Sequence, residues 1–478
     1  MIAPHPPEGW ADLDLRVLPR TGPVHFIGVA GAGMSALAEL LVRTGVDVTG
    51  CDVRPGAVGM ALAAHDVRVY EGHDPAHVAD AVAVVVTAAV RPDHEEVAAA
   101  RARGIPVLKR AQALAAIVNR GTVIAISGTH GKTTTTAATA GILAEAGLDP
   151  TGFVGGRVQG WGSGLRAGGG LFVVEADEYD RSFLTLRPSA AVVTSVEADH
   201  LDIYGDVAAV EAAFVEFLSL VKPGGLIAAC GDDAGARRVA LERPNRSSLV
   251  LYGTGDHADL RAVNVRQEGR VMSFDVIDRG ERLGPITLPA PGIHNVRNAL
   301  GALAVARHAG ATFAHAQTAL RSFGGVARRF EELGHARRIT VIDDYAHHPT
   351  EVAATLAAAR HMYEGRRIIA AFQPHLYSRT RDLANEFGRA LAAADVVWVT
   401  DVYPAREAPI AGVSGELVAS AARAAGASAV AYVASLEQLR AELLEGLQPD
   451  DVLVAMGAGD IDEMARTLVA SLRAGIDA

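Results

Sequence analysis

The sequence predicts an α/β protein of three domains, with Rossmann-like domains at both ends and a central α/β domain of the P-loop type. Three observations predict it. Short β-rich runs alternate with Ala- and Leu-rich helical stretches almost throughout, as in βαβ units with largely parallel sheets. Two strand-to-helix turns are glycine-rich, one at Gly28–Met34 and one at Gly128–Thr134. The length, 478 residues, suits about three domains of roughly 150 residues each. The expected domains are residues 1–118, 119–326 and 327–478.

In chain order, the first block opens with a strand at Val24–Val29, a glycine turn and a helix from about Met34 to Arg43. Strands are expected at Val46–Cys51, Val67–Tyr70 and Ala83–Val90, and a helical run at Ala111–Arg120 closes the block. The second block starts with Val123–Ser127, a glycine loop and a helix to about Ala146. Strands follow at Leu171–Glu175, Ala191–Val196 and Leu226–Cys230. A hairpin is expected over Val263–Ile277 with its turn at Gln267-Glu268-Gly269, and then a helix to Ala309. The third block, after Gly324-Gly325, carries strands at Arg338–Ile342, Arg367–Phe372, Asp395–Thr400 and Asp451–Met456.

Composition excludes several classes. Half the residues are hydrophobic and the net charge is -11, with arginines scattered among acids rather than gathered into a basic run. No nucleic-acid partner is expected, because such binders present a basic face. The longest apolar stretch, Ala81–Val90, is about half of what a membrane span needs. The segment MIAPHPPEGW has neither the cationic nor the apolar region of a signal peptide. A cytoplasmic location with no membrane partner is expected, and the two cysteines, Cys51 and Cys230, fit a reducing compartment. Only three of the 44 cations are lysines, and one of them is Lys132.

Lys132 stands in Gly128-Thr129-His130-Gly131-Lys132-Thr133-Thr134, between an apolar strand and an Ala-rich helix. A loop in that position turns successive backbone N–H groups inward, and the helix N-terminus adds about half a positive charge. ATP is the expected ligand, with Lys132 on the β/γ-phosphates and the Thr133 hydroxyl on Mg²⁺. The spacing is two residues shorter than the usual G-x-x-x-x-G-K-[ST]. Glu175-Ala-Asp-Glu178 and Glu197-Ala-Asp-His200 each follow an apolar strand. Carboxylates at strand C-terminal ends occupy the ligand side of an open α/β sheet and suit a hard cation. Gly31-Ala-Gly33-Met-Ser-Ala36 fits G-x-G-x-x-[GA], and Asp52 follows Gly31 by 21 residues. Taken alone, that turn holds NAD, FAD or another nucleotide diphosphate, or only packs a helix.

Together these segments resemble the Mur ligases, which build the peptide stem of bacterial peptidoglycan. The resemblance continues through Gly292-Ile-His-Asn295, Arg328-Arg-Phe-Glu331, Asp343-Asp-Tyr-Ala-His-His-Pro-Thr-Glu351 and Gln373-Pro-His-Leu-Tyr-Ser-Arg-Thr-Arg381. It spans residues 24 to about 460. It implies a UDP-sugar-binding domain, a P-loop ATPase-type domain and a Rossmann-like C-terminal domain. The GAGMS and DDYAHHPTE segments point to the branch that joins L-alanine to UDP-N-acetylmuramate through an acyl phosphate.

Residue by residue, the resemblance implies Lys132, His200, His347 and Arg379 as catalytic. ATP contacts fall to the 128–134 loop, Asn295 and Arg329, and metal contacts to Thr133, Glu175 and His200, with Mg²⁺ or Mn²⁺ as the ion. Tyr345, His347 and Arg379 are implied in the amino-acid pocket, with Arg379 on the substrate carboxylate. Gly28, Gly31, Gly33, Asp52, His73 and Thr87 are candidates for UDP contact. His347 and His348 both precede Pro349, so a cap on the following helix is the competing role for either. Leu376 stands where many relatives carry a second Arg, and no lysine lies between His200 and Val221, where sister ligases carry a carbamylated one. A monomer or weak homodimer is expected. The alternatives are a murein-tripeptide recycling ligase and, from the N-terminal turn, an NAD-dependent oxidoreductase.

Overall fold

The computed structural model describes residue 15 and residues 21–474, except 88, 89, 92, 245, 246 and 406. The segment MIAPHPPEGW lies outside the described residues, as does part of the expected strand Ala83–Val90. The chain divides into two compact units. The first runs to Val263 and includes Asp275–Pro285 and Arg297–Gly324; the second comprises Asn264–Phe274, Ile286–Val296 and the chain from Gly325.

Three sheets are present among the described residues. The first contains β1 (Val24–Ile27), β2 (Val48–Asp52), β3 (Arg68–Glu71), β4 (Ala83–Val86) and β5 (Val107–Lys109), all parallel, in the order β3-β2-β1-β4-β5. Strand order reverses between β1 and β4, and the crevice beyond their C-terminal ends is the ligand-binding place of such sheets. Gly28 follows β1 and Thr87 follows β4 at that crevice.

The second sheet begins with β6 (Thr122–Ser127), β7 (Thr151–Phe153), β8 (Leu165–Arg166), β9 (Leu171–Glu175) and β10 (Ala190–Val193). It continues with β11 (Leu226–Cys230), β12 (Ser248–Gly253), β13 (Leu260–Glu268), β14 (Val271–Asp278) and β15 (Glu281–Leu288). β6 runs parallel between β10 and β9, with Ser127 beside Val193 and Ile126 beside Glu175. Its run Val123–Ile126 is wholly buried, as a central strand covered on both faces requires.

The third sheet contains β16 (Glu331–Ala336), β17 (Ile339–Asp344), β18 (Ile368–Phe372), β19 (Val396–Val399), β20 (Val430–Tyr432) and β21 (Val452–Met456), in the order β16-β17-β21-β18-β19-β20. β16 is an antiparallel edge; the other pairings are parallel. Apolar clusters cover both faces, Phe372 and Val454 on one and Ile369 and Leu453 on the other.

Two expectations shift. The hairpin turn falls on Gly269-Arg270 rather than on 267–269, because Gly269 supplies the positive φ (+55°) that a two-residue turn needs. β5, β7, β8, β12, β15, β16 and β20 are not expected from the sequence; most are short or edge strands whose partners, not their own sequence, hold them. No helix among the described residues is long and apolar enough to cross a membrane.

Candidate active site

The strand order brings three C-terminal strand ends together around the loop after β6. The loop leads into the helix Lys132–Glu145, whose first N–H groups have no side-chain cap. β-Branched threonines are poor helix formers. Here Thr136 Oγ1 donates to Lys132 O at 2.8 Å and Thr139 Oγ1 to Thr135 O at 2.7 Å, so these two hydroxyls are satisfied inside the buried helix, whereas the Thr135 hydroxyl has no hydrogen-bond partner among the described residues. Two glycines shape the loop. Gly128 has φ +131°, and a Cβ there would lie 2.0 Å from Thr194 Oγ1 and 2.8 Å from Ser195 N. Gly131 has φ +82°, with Asn298 Oδ1 at 2.5 Å from its would-be Cβ.

The end of β10 braces this loop. Thr129 N donates to Ser195 O at 2.9 Å, His130 N to Ser195 Oγ at 3.0 Å, and Glu197 N to Thr129 Oγ1 at 3.0 Å. The end of β9 supplies the charge. Lys132 Nζ donates to Gly128 O at 2.7 Å and to both carboxylate oxygens of Glu178 at 2.8 and 2.9 Å. Burial opposes the ammonium, but Glu178, Asp177 and Glu175 outweigh it and hold the Lys132 pKa above its ordinary value. Burial pushes the carboxyls of Glu175 and Glu178 up, against the pull of Lys132. One ammonium thus faces three carboxyl groups. The sequence reading placed Glu178 in an acidic cluster without assigning it a role; its pairing with Lys132 spans 46 residues and has no local signature.

The donor set fits a divalent cation in part. Glu175 accepts from Gly155 N at 3.0 Å and bonds the Thr133 side chain, so hydroxyl and carboxylate are together. His200 is held at positive φ (+55°), packs edge-on against Tyr179, and has a buried Nδ1 with no hydrogen-bond partner, an orphaned atom that a cation would satisfy. Glu175 and His200 are not among the described groups whose ligating atoms converge within 4.8 Å. His200 Nε2 instead lies 3.8 Å from Asp199 Oδ2. Thr133 and Glu175 would hold a hard ion such as Mg²⁺, and an imidazole ligand would favour Mn²⁺.

In the first sheet, Gly28 (φ +80°) packs so closely on Thr87 that a Cβ would reach its Cγ2 at 2.7 Å. Gly31 starts the helix Ala32–Arg43, and Asp52 Oδ2 accepts from Ala30 N at 3.1 Å, fixing the turn. A cavity of about 700 Å³ is lined by Gly28, Gly31, Asp52, His73 and Thr87. A second, of about 270 Å³, is lined by Gly28, Gly31, Gly33 and Thr87 and also by Glu175 and Asp177. All six expected sugar-nucleotide residues therefore line one of two cavities, and the smaller reaches the acidic end of β9. Lys109 Nζ to Asp180 Oδ2, at 2.6 Å, joins the same two domains.

The remaining candidates lie in the second unit. Asn295 Nδ2 donates to Pro291 O at 2.8 Å. The Arg328 and Arg329 guanidinium carbons lie 4.9 and 5.2 Å from the Tyr345 ring centroid, and Arg329 Nη1 is 3.5 Å from Glu351 Oε1. His347 Nδ1 lies 2.9 Å from Tyr345 O, and its ring packs edge-on against Tyr345 and His375. Arg379, buried, has Nη1 3.4 Å from His375 Nδ1. His348 is the N-cap of the helix Pro349–Met362, accepting from Thr350 N, which leaves His347 as the histidine of the pair on the Tyr345 side. Leu376 is buried at φ +68° at the start of the helix Tyr377–Leu391. Beneath these groups, burial raises Asp343 to about 7 and Asp344 to about 6. Asp343 lies 3.7 Å from Arg328 Nε, and Arg328 donates to Gly457 O at 2.8 Å and Gly459 O at 3.1 Å, tying the 328–331 segment to the sheet.

A phosphate loop braced by acidic strand ends, beside a dinucleotide-type turn and followed by a Rossmann-like unit, defines a nucleotide-dependent ligase, and the chain belongs to the Mur ligase family. Residues 23–122 match the Mur ligase family catalytic domain, 126–306 the Mur ligase middle domain, and 328–459 the Mur ligase glutamate ligase domain. The chain is 45% identical over 453 residues to UDP-N-acetylmuramate--L-alanine ligase of Salinibacter ruber, covering 94% of this chain and 95% of that one. It is 46% identical to the enzyme of the same name from Acidothermus cellulolyticus, over 92% and 93% of the two chains. The solved structure of UDP-N-acetylmuramate-alanine ligase MurC from Thermotoga maritima superposes with TM-score 0.80 at 29% identity, covering 95% and 99%. A murein peptide ligase from Psychrobacter arcticus gives 0.71 at 25%, covering 94% and 98%. Membership sets aside the oxidoreductase reading of the N-terminal turn, which serves a ligase.

Proposed function

We propose that the chain joins L-alanine to the lactoyl carboxylate of UDP-N-acetylmuramate with cleavage of ATP to ADP and phosphate, a cytoplasmic step in peptidoglycan precursor synthesis. The observation that carries this reading is the smaller cavity, in which the nucleotide turn of the first domain and the β9 carboxylates share one space. A sugar nucleotide held at Gly28–Gly33 extends its carboxylate towards the phosphate loop.

A free carboxylate does not acylate an amine at useful rates, because oxide is a poor leaving group. In the proposed course a carboxylate oxygen attacks the γ-phosphorus and the bond to ADP breaks. The amine of L-alanine then attacks the acyl carbon, loses a proton and expels phosphate. Lys132 and the loop N–H groups neutralise charge on the transferring phosphoryl group, where positioning and electrostatics carry most of the catalysis. Thr133 and Glu175 would hold a divalent cation, which would supply further positive charge against the transferring phosphoryl group. Arg379 binds the carboxylate of L-alanine, His347 orients its amine, and Asn295 and Arg329 contact the nucleotide.

The course is tested with UDP-N-acetylmuramate labelled with ¹⁸O in its carboxylate. One label is expected in the released phosphate for each product formed. Unlabelled phosphate would contradict activation through an acyl phosphate.

A further inference from the structure

The first domain gathers six metal-ligating residues away from the phosphate loop. His25 is on β1 and Cys51 on β2. His73 follows β3, His77 lies in the short helical turn Pro75–Val78, and His94 and Glu96 open the helix Glu95–Ala102. The Glu96 carboxylate is fully buried. Cys51 Sγ lies 3.1 and 3.3 Å from its two oxygens and 3.2 Å from His73 Nδ1; His73 Nδ1 is 3.3 Å from Glu96 Oε2, and His77 Nδ1 is 2.8 Å from Glu96 Oε1. One ligating atom from each of His25, Cys51, His77 and Glu96 falls within 4.8 Å of the other three, and His73, His94 and Glu96 form a second such group.

A hydrogen-bond network accounts for only part of this. Glu96 already accepts from the backbone N of Asp74 at 3.1 Å. His25 is completely buried, and its Nδ1 is paired with Thr49 Oγ1 at 2.8 Å. Its other nitrogen, Nε2, is buried with no hydrogen-bond partner. A buried imidazole nitrogen left without a partner is costly, and a cation among these groups would remove that cost. A tetrahedral ion with bonds of about 2.0–2.3 Å separates its ligands by roughly 3.3–3.8 Å. Glu96 oxygens stand 3.1 Å from Cys51 Sγ and 2.8 Å from His77 Nδ1, slightly inside that spacing.

We propose that this cluster is a site for a zinc-class divalent transition metal, with Cys51, Glu96, His25 and His77 as ligands. Thiolate with imidazole and a single carboxylate selects such ions over Mg²⁺. His73 and His94 touch the same Glu96 and also line the 700 Å³ cavity, so occupancy is coupled to the sugar-nucleotide side of the molecule. In the metal-free protein, burial and the hydrogen bond to Glu96 push the Cys51 thiol up. The inference is independent of the ligase reading, whose cation lies at the second sheet.

The test uses untagged full-length protein with millimolar Mg²⁺ present to fill hard-cation sites. After loading with Zn²⁺ and dialysis, one zinc per chain is expected by elemental analysis. Loading with Co²⁺ should give a thiolate-to-cobalt charge-transfer band and the intense visible bands of a tetrahedral site. Cys51→Ser should abolish the charge-transfer band, whereas Cys230→Ser, at the other buried free thiol, should keep it. His77→Gln leaves the thiol intact and should weaken Zn²⁺ binding at least about tenfold. No zinc retained by the unmodified protein, or a His77→Gln variant that binds as tightly as the parent, would overturn the proposal.

Discussion

Lys132→Ala is expected to lower turnover at least about 10³-fold, which is about 4 kcal/mol of lost transition-state stabilisation, with the affinity for UDP-N-acetylmuramate unchanged within about twofold. The ammonium is the cation bonded to Gly128 O and to Glu178, at the mouth of the helix where phosphate is favoured. In the proposed arrangement the sugar nucleotide is held at the cavity lined by Gly28 and Thr87, so its binding should not depend on Lys132. The variant also leaves Glu178 buried without its partner. Breaking a buried ion pair from one side costs roughly 3–5 kcal/mol, so the melting temperature should fall as well. Lys132→Ala combined with Glu178→Gln separates the two effects. The double variant should regain most of the lost stability and none of the lost turnover. Turnover recovering together with stability would mean that Lys132 only holds the fold.

Gly128→Ala should be the most damaging single methyl in the loop. The residue stands at φ +131°, where side chains are strained by about 1–3 kcal/mol. The new Cβ would also meet the backbone N of Ser195 and of Thr194 at 2.8 and 2.9 Å. Thr194 cannot retreat easily, because its hydroxyl donates to Ser127 O and His130 O. Overpacking of this kind costs about 1–3 kcal/mol more. ATP binding should be lost while binding of the sugar nucleotide persists. Gly131→Ala is the control: it also has positive φ, but its new methyl would meet the end of the Asn298 side chain rather than backbone. Calorimetry should rank Gly128→Ala well below Gly131→Ala in ATP affinity. Equal affinities would show that the close approach to β10 does not shape the loop.

Sequence made the phosphate loop legible because everything that defines it is local: the apolar run of β6, two glycines, a lysine and a helix start lie within twelve residues. The acidic ends of β9 and β10 were legible for the same reason. Their assembly around the loop follows from β6 lying between β10 and β9, a pairing that no window of sequence contains. Glu178 therefore read as one acid in a cluster, and only the fold made it the partner of Lys132. The same limit applies to Cys51 and Glu96, which are 45 residues apart and carry no motif. His347 and His348 were indistinguishable as neighbours before Pro349 until the cap bond from Thr350 to His348 separated them. Short edge strands such as β16 and β20 were missed because cross-strand partners stabilise them more than their own residues do.

The central claim is that this chain activates a carboxylate for attack by L-alanine rather than by a preformed peptide. ADP release with UDP-N-acetylmuramate, measured across single amino acids and the tripeptide L-Ala-γ-D-Glu-diaminopimelate, tests it most directly. The account predicts release that requires both UDP-N-acetylmuramate and L-alanine and is not supported by the tripeptide. Release with the tripeptide and none with L-alanine would contradict it.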